Sequence, residues 1–231
     1  VDQRGAKAKG IISSALREAV GQKLSAREPA IIFFNRRGYA AYLVCSRCRH
    51  VPRCPRCDLA LAYHKREERL VCHRCRFSSP LEERCPECGG RMSGRKGLGV
   101  EAVAEELQKM FPQSRVACLS KDRTPTRREQ GKIIQSFSRG KLDVLVGTEL
   151  LAHQRDLPPL SFIGILNPEM MLGHPDFRAG FATFETLCRV LRLVGDSPRA
   201  EAIIQTEAAH HFSIRCASSH DYLGFFENEI E

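Results

Sequence analysis

Eight of the eleven cysteines in this 231-residue chain occur in four Cys-x-x-Cys pairs between residues 45 and 88. The pairs are Cys45/Cys48, Cys54/Cys57, Cys72/Cys75 and Cys85/Cys88. A Cys-x-x-Cys loop turns two sulfurs to the same side, at the separation that a tetrahedral Zn²⁺ accepts. Since four sulfurs bind one ion, the eight thiolates predict two zinc ions.

The spacing favours a nested grouping of these pairs. Between Cys57 and Cys72 the chain is long enough for a short hairpin that joins two cysteine loops, so the inner pairs share one ion and the outer pairs the other. The predicted ligands are Cys45, Cys48, Cys85 and Cys88 for zinc 1, and Cys54, Cys57, Cys72 and Cys75 for zinc 2. A cross-braced arrangement, in which Cys45 and Cys48 join Cys72 and Cys75, remains open. Because all eight ligands are cysteines, the metal is predicted to be structural and not catalytic.

Disulfides and an iron–sulfur cluster are the alternatives for the same cysteines. Disulfides require an oxidising compartment, and the first residues carry no apolar signal region. A start at Val1 instead of Met suggests a fragment whose true N-terminus lies elsewhere.

The remaining cysteines and the nearby histidines are predicted not to bind metal. Cys118, Cys188 and Cys216 stand alone among apolar or helical residues and are expected to be buried core thiols. The surplus histidines of the cysteine-rich stretch, expected at the surface or in a hairpin, are His50, His64 and His73.

Charge and composition limit the possible partners. The formal net charge of +9 permits nucleic-acid binding. Eight thiolates and two Zn²⁺ would change this charge by −8 and +4, to +5. The absence of Trp and the presence of four Tyr argue against an extended base-stacking surface. No apolar run approaches the roughly 18 residues that a membrane span needs, so we expect a soluble protein without membrane contact.

Outside the cysteine-rich stretch, short apolar runs alternate with segments of helical periodicity. Strands are predicted at 30–34, 115–119, 142–146, 161–166 and 202–206, and helices at 9–24, 100–110, 126–138 and 176–193. This alternation predicts an α/β fold with a parallel sheet covered on both faces. No phosphate loop, dinucleotide-binding turn or nucleophile elbow is present.

Four further segments occur in a characteristic order. They are residues 34–39 (F-N-R-R-G-Y), 143–152 (D-V-L-V-G-T-E-L-L-A), 175–179 (P-D-F-R-A) and 220–227 (H-D-Y-L-G-F-F-E). With the nested cysteine insertion, this order resembles the second motor lobe of the PriA family, superfamily 2 helicases that restart stalled replication forks. The resemblance covers essentially the whole chain. It implies a RecA-like parallel sheet, helicase lobe 2, with an inserted double zinc-ribbon-like module.

The resemblance also implies domain boundaries. The helicase lobe would comprise residues 1–43 and 95–206, and the zinc-binding insertion residues 44–94. Residues 207–231 would begin a truncated C-terminal domain. An N-terminal DNA-binding region and a first motor lobe with the phosphate loop would lie outside this sequence.

Several residue roles follow from the resemblance alone. Thr148 resembles the motif V threonine that touches the DNA backbone, with its hydroxyl and backbone N–H directed at phosphate; a plain turn at the strand end is the alternative. Asp156 matches a motif V aspartate near the nucleotide, although the usual K-G-H-D reads H-Q-R-D here. Arg36 and Arg37 resemble motif IV arginines, which would contact phosphate or form an ion pair at the sheet edge.

Motif VI departs from the family pattern. The pattern Q-V-x-G-R-x-G-R places two arginines at the γ-phosphate of the nucleotide, whereas residues 189–196 read R-V-L-R-L-V-G-D. Leu193 and Asp196 therefore occupy the two arginine-finger positions. Only a register slip would bring Arg189 or Arg192 into their place.

These features support two main hypotheses. We favour a helicase-derived scaffold in replication restart that binds forked and single-stranded DNA and lacks ATPase activity of its own. The alternative is an active ATP-dependent 3′→5′ DNA helicase when combined with an intact first lobe. A zinc-ribbon protein in transcription or RNA metabolism is a third and weaker possibility.

The resemblance further implies cofactors, partners and location. Two structural Zn²⁺ are expected, and ATP with Mg²⁺ only if the complete motor is active. DNA, primosome proteins and single-strand-binding proteins are the implied partners. The implied location is the bacterial cytoplasm, in association with the nucleoid.

Overall fold

The chain is described by a computed structural model. It describes residues 11–35, 42–48, 50–58, 61–64, 69–72, 75–95, 99–121, 123–154, 157–158, 160–172, 176–195 and 198–230. The chain divides into two compact units. We call the unit formed by Val1–Arg36 and Val103–Glu231 the lobe, and the unit Arg37–Ala102 the cysteine module.

Strands and helices follow one another along the described residues. The strands are β1 (Ala30–Phe33), β2 (Tyr42–Cys45), β3 (Ala62–His64), β4 (Arg69–Val71), β5 (Ser78–Pro80), β6 (Met92–Arg95), β7 (Val116–Leu119), β8 (Val144–Gly147), β9 (Phe162–Leu166) and β10 (Glu201–Gln205). The helices are α1 (Ser14–Ser25), α2 (Val100–Met110), α3 (Arg127–Ser138), α4 (Glu169–Leu172), α5 (Ala179–Leu191), α6 (Phe212–Ser218) and α7 (Tyr222–Ile230). None of the helices in the described ranges combines the length and apolar character that crossing a lipid bilayer requires.

The lobe is built on a five-stranded sheet in the order β10-β9-β1-β8-β7, and every neighbouring pair is parallel. All residues of β1, β8 and β9 are buried. Continuous apolar runs fit this position because helices cover both faces of a parallel sheet. The predicted α/β fold class is therefore confirmed.

The two faces of the sheet pack against different helices. On one face, Ile31 and Phe33 of β1 join a buried cluster to which α3, α5, α6 and α7 contribute. On the other face, Leu16 of α1 packs over Gly164 of β9 and beside Ile32. Side chains of successive strand residues point to opposite faces, so β1 supplies apolar contacts to both layers.

The strands described in the cysteine module are short and antiparallel. β2 pairs with β6, and β3, β4 and β5 form a separate three-stranded sheet. The β3–β4 pair lies between the two inner cysteine loops, where the sequence predicts a hairpin. Together the two sheets and the cysteine loops form the predicted zinc-ribbon-like module.

The structure corrects three local expectations. The helix predicted at 9–24 begins at Ser14, because the Ser13 hydroxyl caps it by accepting the Leu16 N–H at 3.3 Å. The helix predicted at 176–193 begins at Ala179, because the Asp176 carboxylate accepts the N–H of Arg178 at 2.9 Å and stabilises a turn there. Cys118 was expected to be buried but is half-buried, since β7 is an edge strand. Cys188 and Cys216 are buried as predicted.

A test of the sheet packing uses Gly147, at the carboxyl end of β8. A Cβ there would lie 2.6 Å from Leu151 Cγ and 3.1 Å from the Leu119 carbonyl oxygen. We expect Gly147→Ala to lower the free energy of unfolding by about 1–3 kcal/mol, as overpacking does. Urea unfolding followed by circular dichroism measures this change.

Gly131→Ala is the matched control, because no atom lies within 4 Å of its added Cβ. Gly131 is exposed in the interior of α3. Alanine there should raise the stability by up to about 1 kcal/mol through helix propensity. Equal effects of the two substitutions would contradict the packing described.

Candidate metal centres and the carboxyl edge of the sheet

The structure brings the eight paired cysteines into two groups of four. The outer cluster contains Cys45, Cys48, Cys85 and Cys88, and the inner cluster contains Cys54, Cys57, Cys72 and Cys75. Within each cluster all Sγ atoms lie within 4.8 Å of one another. This grouping matches the nested arrangement and not the cross-braced one.

The distances between sulfurs fit a tetrahedral metal site. The Sγ–Sγ distances are 3.4 Å for Cys45–Cys88, 3.6 Å for Cys48–Cys85 and 3.5 Å for Cys54–Cys75. A disulfide would need about 2.05 Å. Four sulfurs at about 2.3 Å from a central Zn²⁺ lie about 3.8 Å apart. The donor set therefore suits zinc without large movement.

Backbone hydrogen bonds shape the cysteine loops. The residue after the second cysteine has a left-handed backbone in three loops: Asp58 (φ 53°), Arg76 (φ 59°) and Gly89 (φ 66°). In each, its N–H donates to the carbonyl of the first cysteine of that loop at 2.9 Å. The N–H of Cys45, Cys72 and Cys85 in turn donates to the carbonyl five residues later. Backbone hydrogen bonds thus close these loops.

Gly90 allows the outer cluster to close. A Cβ at this position would lie 3.0 Å from Cys45 Sγ and 3.2 Å from Cys88 Sγ. Such contacts are shorter than packed heavy atoms tolerate without movement. The glycine therefore lets the backbone approach the sulfurs.

Backbone hydrogen bonds favour the thiolate form of Cys45 over the thiol. The N–H groups of Cys48 and Arg47 each donate to Cys45 Sγ at 3.4 Å. These hydrogen bonds lower the pKa of the Cys45 thiol to about 6, since they stabilise its charged form.

The neighbouring thiols resist ionisation. A hydrogen bond from the N–H of His50 favours the Cys48 thiolate, but the nearby Cys88 thiol and burial outweigh it and raise the pKa of Cys48 to about 12. In the inner cluster, the adjacent Cys75 thiol raises the pKa of Cys57 to about 12. Four sulfurs so close together cannot all carry charge unless a cation lies among them.

Histidine contributes to neither cluster within the described residues. The carbonyl of the half-buried His50 accepts the Cys45 N–H at 2.9 Å, which is a backbone role. His73 and the side chain of His64 lie outside the described residues.

Thr148 follows β8 at the carboxyl edge of the sheet and is almost buried. Its N–H donates to the Leu119 carbonyl at 3.2 Å, and its carbonyl accepts the Leu151 N–H at 2.8 Å. The expectation that this N–H is directed at phosphate is therefore wrong, because the neighbouring strand uses it. A phosphate contact by Thr148 would have to come from the hydroxyl.

Asn35 is a residue at this edge to which sequence reasoning gave no role. Its Oδ1 accepts the N–H of Glu149 at 3.3 Å, and its Nδ2 donates to Met171 Sδ at 2.9 Å. The side chain thus ties the end of β1 to the turn after β8 and to α4. The sequence feature that could have indicated this role is a polar residue directly after an all-apolar strand.

Glu169 forms a second link at the same edge. Its carboxylate accepts the Thr206 hydroxyl at 2.6 Å and the Glu207 N–H at 3.3 Å. Glu169, in the N-P-E sequence at 167–169, therefore joins the ends of β9 and β10.

The arginines near motif VI make contacts within the lobe. Arg189 donates to the Glu185 carboxylate one turn earlier in α5. Arg192 donates to the Tyr222 hydroxyl at 2.8 Å, and its guanidinium lies 5.9 Å from the centre of that ring. Leu193, at a finger position, is half-buried against the apolar cluster of the lobe.

Four residues of the sequence hypotheses, Arg36, Arg37, Asp156 and Asp196, lie outside the described residues. Their suggested roles stay predictions.

Comparison with protein families identifies the inner cluster. Residues 54–80 match the PriA DNA helicase Cys-rich region (CRR) domain. This match contains all four inner cysteines and the three-stranded sheet beside them.

Curated relatives extend the similarity to the whole chain. The chain is 34% identical over 223 residues to replication restart protein PriA of Bacillus subtilis, covering 96% of this chain and 28% of the relative. For PriA of Chlamydia pneumoniae the identity is 34% over 234 residues, with 100% and 31% covered. For PriA of Thermotoga maritima it is 30% over 231 residues, with 100% and 31% covered. The chain thus spans about three tenths of the length of these relatives.

Similarity to solved structures is weaker. The C-terminal domain of the DEAD-box protein Dbp5 aligns with 93% of this chain and 82% of its own length, at 16% identity and a TM-score of 0.43. The Hef helicase domain of Pyrococcus furiosus aligns with 89% of this chain and 27% of its own, at 13% identity and a TM-score of 0.42.

The sequence relatives and the family match agree with the order of motifs in the chain. The predicted resemblance is confirmed: this chain is similar over nearly its whole length to a part of replication restart protein PriA, and residues 54–80 match the PriA cysteine-rich region.

Proposed function

We propose that this chain is the part of a replication restart protein that binds forked and single-stranded DNA and helps to reload the replication machinery. In this proposal it acts as a helicase-derived scaffold without ATPase activity of its own. The relatives named as replication restart proteins support the process. Primosome and single-strand-binding proteins are the proposed partners, and the bacterial nucleoid is the proposed location.

The contacts made by residues 189–193, at the end of α5 and just beyond it, are the observation that supports the scaffold proposal. The finger position at Leu193 has no cation, and the leucine packs into the lobe. The two nearby arginines are held by Glu185 and Tyr222. An arginine finger contributes about 10³–10⁵ in rate, or about 4–7 kcal/mol of transition-state stabilisation. A register slip would have to break these contacts to supply it.

An active ATP-dependent 3′→5′ DNA helicase is the second candidate. The description of the matching family as a DNA helicase favours it. It requires an intact first motor lobe with a phosphate loop, and ATP with Mg²⁺ as cofactors. Asp156 would then lie near the nucleotide, and Arg36, Arg37 and Thr148 would contact DNA.

For the metal, we infer that each four-cysteine cluster holds one structural Zn²⁺. Sulfur spacing, cysteine-only ligands and the close approach at Gly90 support this assignment. Because four thiolates complete a tetrahedron, no position is left for a water or substrate. The ion would neutralise the thiolates and fix the loops, with no part in a reaction.

The scaffold proposal is tested on the complete protein that contains this chain. We expect it to bind forked DNA while hydrolysing ATP no faster with DNA than without it, since the finger cations are missing. Fluorescence anisotropy measures DNA binding, and phosphate release measures hydrolysis.

An Asp156→Ala variant is the control for contaminating ATPases, since their activity would persist in it. DNA-stimulated turnover that Asp156→Ala abolishes would refute the scaffold and support the helicase candidate. Absence of DNA binding would refute both.

Zinc content tests the metal assignment and the nested grouping together. We expect two zinc ions per chain, one after Cys54→Ser, one after Cys45→Ser and none after the double substitution, because each cluster is complete without the other. Elemental analysis of the purified variants gives these values.

Cys118→Ser, which changes a cysteine outside both clusters, should retain two ions. Loss of both ions from either single variant, or a zinc-free parent protein, would contradict the assignment.

A further inference from the structure

Five cations lie close together in sequence at the start of α3. They are Lys121, Arg123, Arg127, Arg128 and Lys132, and all five are exposed. We call them the basic loop. The same stretch contains two acidic residues, Glu129 and Asp122, of which Asp122 lies outside the described residues. The Glu129 carboxylate is held at the helix start, where it accepts the N–H of Thr126 at 3.1 Å.

Two cations elsewhere in the lobe pair with carboxylates. Lys23 pairs with Glu28, and Arg115 with Asp143. No carboxylate oxygen of a described residue lies within 4.0 Å of a basic-loop cation. With five Lys/Arg and two Asp/Glu, residues 120–132 carry a formal net charge of +3, and this excess of positive charge favours binding of a polyanion.

The position of these cations does not favour the helix itself. Arg127 and Arg128 begin α3, and Lys132 lies in its second turn. The N-terminus of a helix carries partial positive charge, so cations there are repelled and anions are stabilised. The arginines of this turn therefore oppose the macrodipole, which points to a role outside helix stability.

Hydrogen bonds hold the backbone of the basic loop in place. The N–H and the hydroxyl of Thr124 each donate to the Ser120 carbonyl at 2.8 Å. Gln130 Nε2 donates to the Thr124 carbonyl at 2.9 Å, and Thr126 with Glu129 forms a capping box. A backbone that is already ordered loses less entropy when a ligand binds.

The basic loop begins next to Thr148. It follows β7, whose last residue, Leu119, pairs with Gly147 of β8 and accepts the Thr148 N–H. Carboxyl ends of parallel strands meet at one edge of a sheet, where ligands of open α/β folds bind. Lys121 and Thr148 therefore lie at the same edge.

We propose that the basic loop binds the phosphodiester backbone of single-stranded DNA and extends the contact surface beyond Thr148. This inference rests on the DNA binding proposed above. Residues 120–132 contain no aromatic side chain to stack on a base, so the contact positions the strand without reading its sequence.

The test compares two double substitutions in the complete protein. Arg127→Gln with Arg128→Gln should weaken binding of a mixed-sequence single-stranded DNA about 10- to 30-fold at about 0.1 M salt. The slope of log affinity against log salt should fall by about 1.4, at about 0.7 per lost phosphate contact. Removing cations from the start of a helix relieves repulsion, so the variant should fold.

Arg139→Gln with Lys141→Gln is the matched control. It removes the same charge from the other end of α3, about 18 Å away along a 12-residue helix. Both residues are exposed. This variant should keep the affinity within about twofold and leave the salt slope almost unchanged.

The outcomes separate this inference from the proposed function. If the parent protein does not bind DNA, the proposed function fails, and the inference fails with it. If the parent binds and the two variants weaken binding equally, the inference alone is overturned. The inference is also overturned if Arg127→Gln with Arg128→Gln weakens binding of a single-stranded RNA of the same sequence but not of the DNA. Equal loss of affinity for DNA and RNA would support contact with the backbone.

Discussion

The grouping of eight cysteine sulfurs is the constraint on which the cysteine module depends. Among the residues that the structure describes, its buried cluster has eight members, of which four are cysteines: Leu43, Cys45, Cys54, Leu61, Leu70, Cys72, Cys85 and Met92. So few apolar side chains cannot offset the entropy of ordering such a module, and small domains of this kind use metals or disulfides instead. Since the sulfurs are not paired as disulfides, cation-bridged thiolates are the interaction that remains.

The lobe depends on a different interaction. Its sheet is buried between helices, and its apolar cluster continues through Phe184 of α5, which stacks on Phe225 of α7 at 4.1 Å between ring centres. The same packing places the end of α5 beside α7, where Arg192 meets Tyr222. The arrangement that stabilises the lobe therefore also positions this arginine against α7.

Sequence reasoning predicted what depends on local pattern. Apolar runs and their alternation gave the parallel sheet, and cysteine spacing gave the two clusters. Contacts between distant segments were not predictable: Arg192 and Tyr222 are thirty residues apart, and the N–H of Thr148 is used by a strand that precedes it by a whole helix. The basic loop is visible in sequence, but its lack of described carboxylate partners and its place beside Thr148 required the structure.

Hydrogen exchange of the complete protein before and after zinc chelation tests the central claim most directly. If cations hold the module, chelation should remove the amide protection of β2–β6 and leave that of β1, β8 and β9 nearly unchanged. Protection of β2–β6 that survives complete removal of metal would contradict the account, because the module would then be held by its apolar contacts.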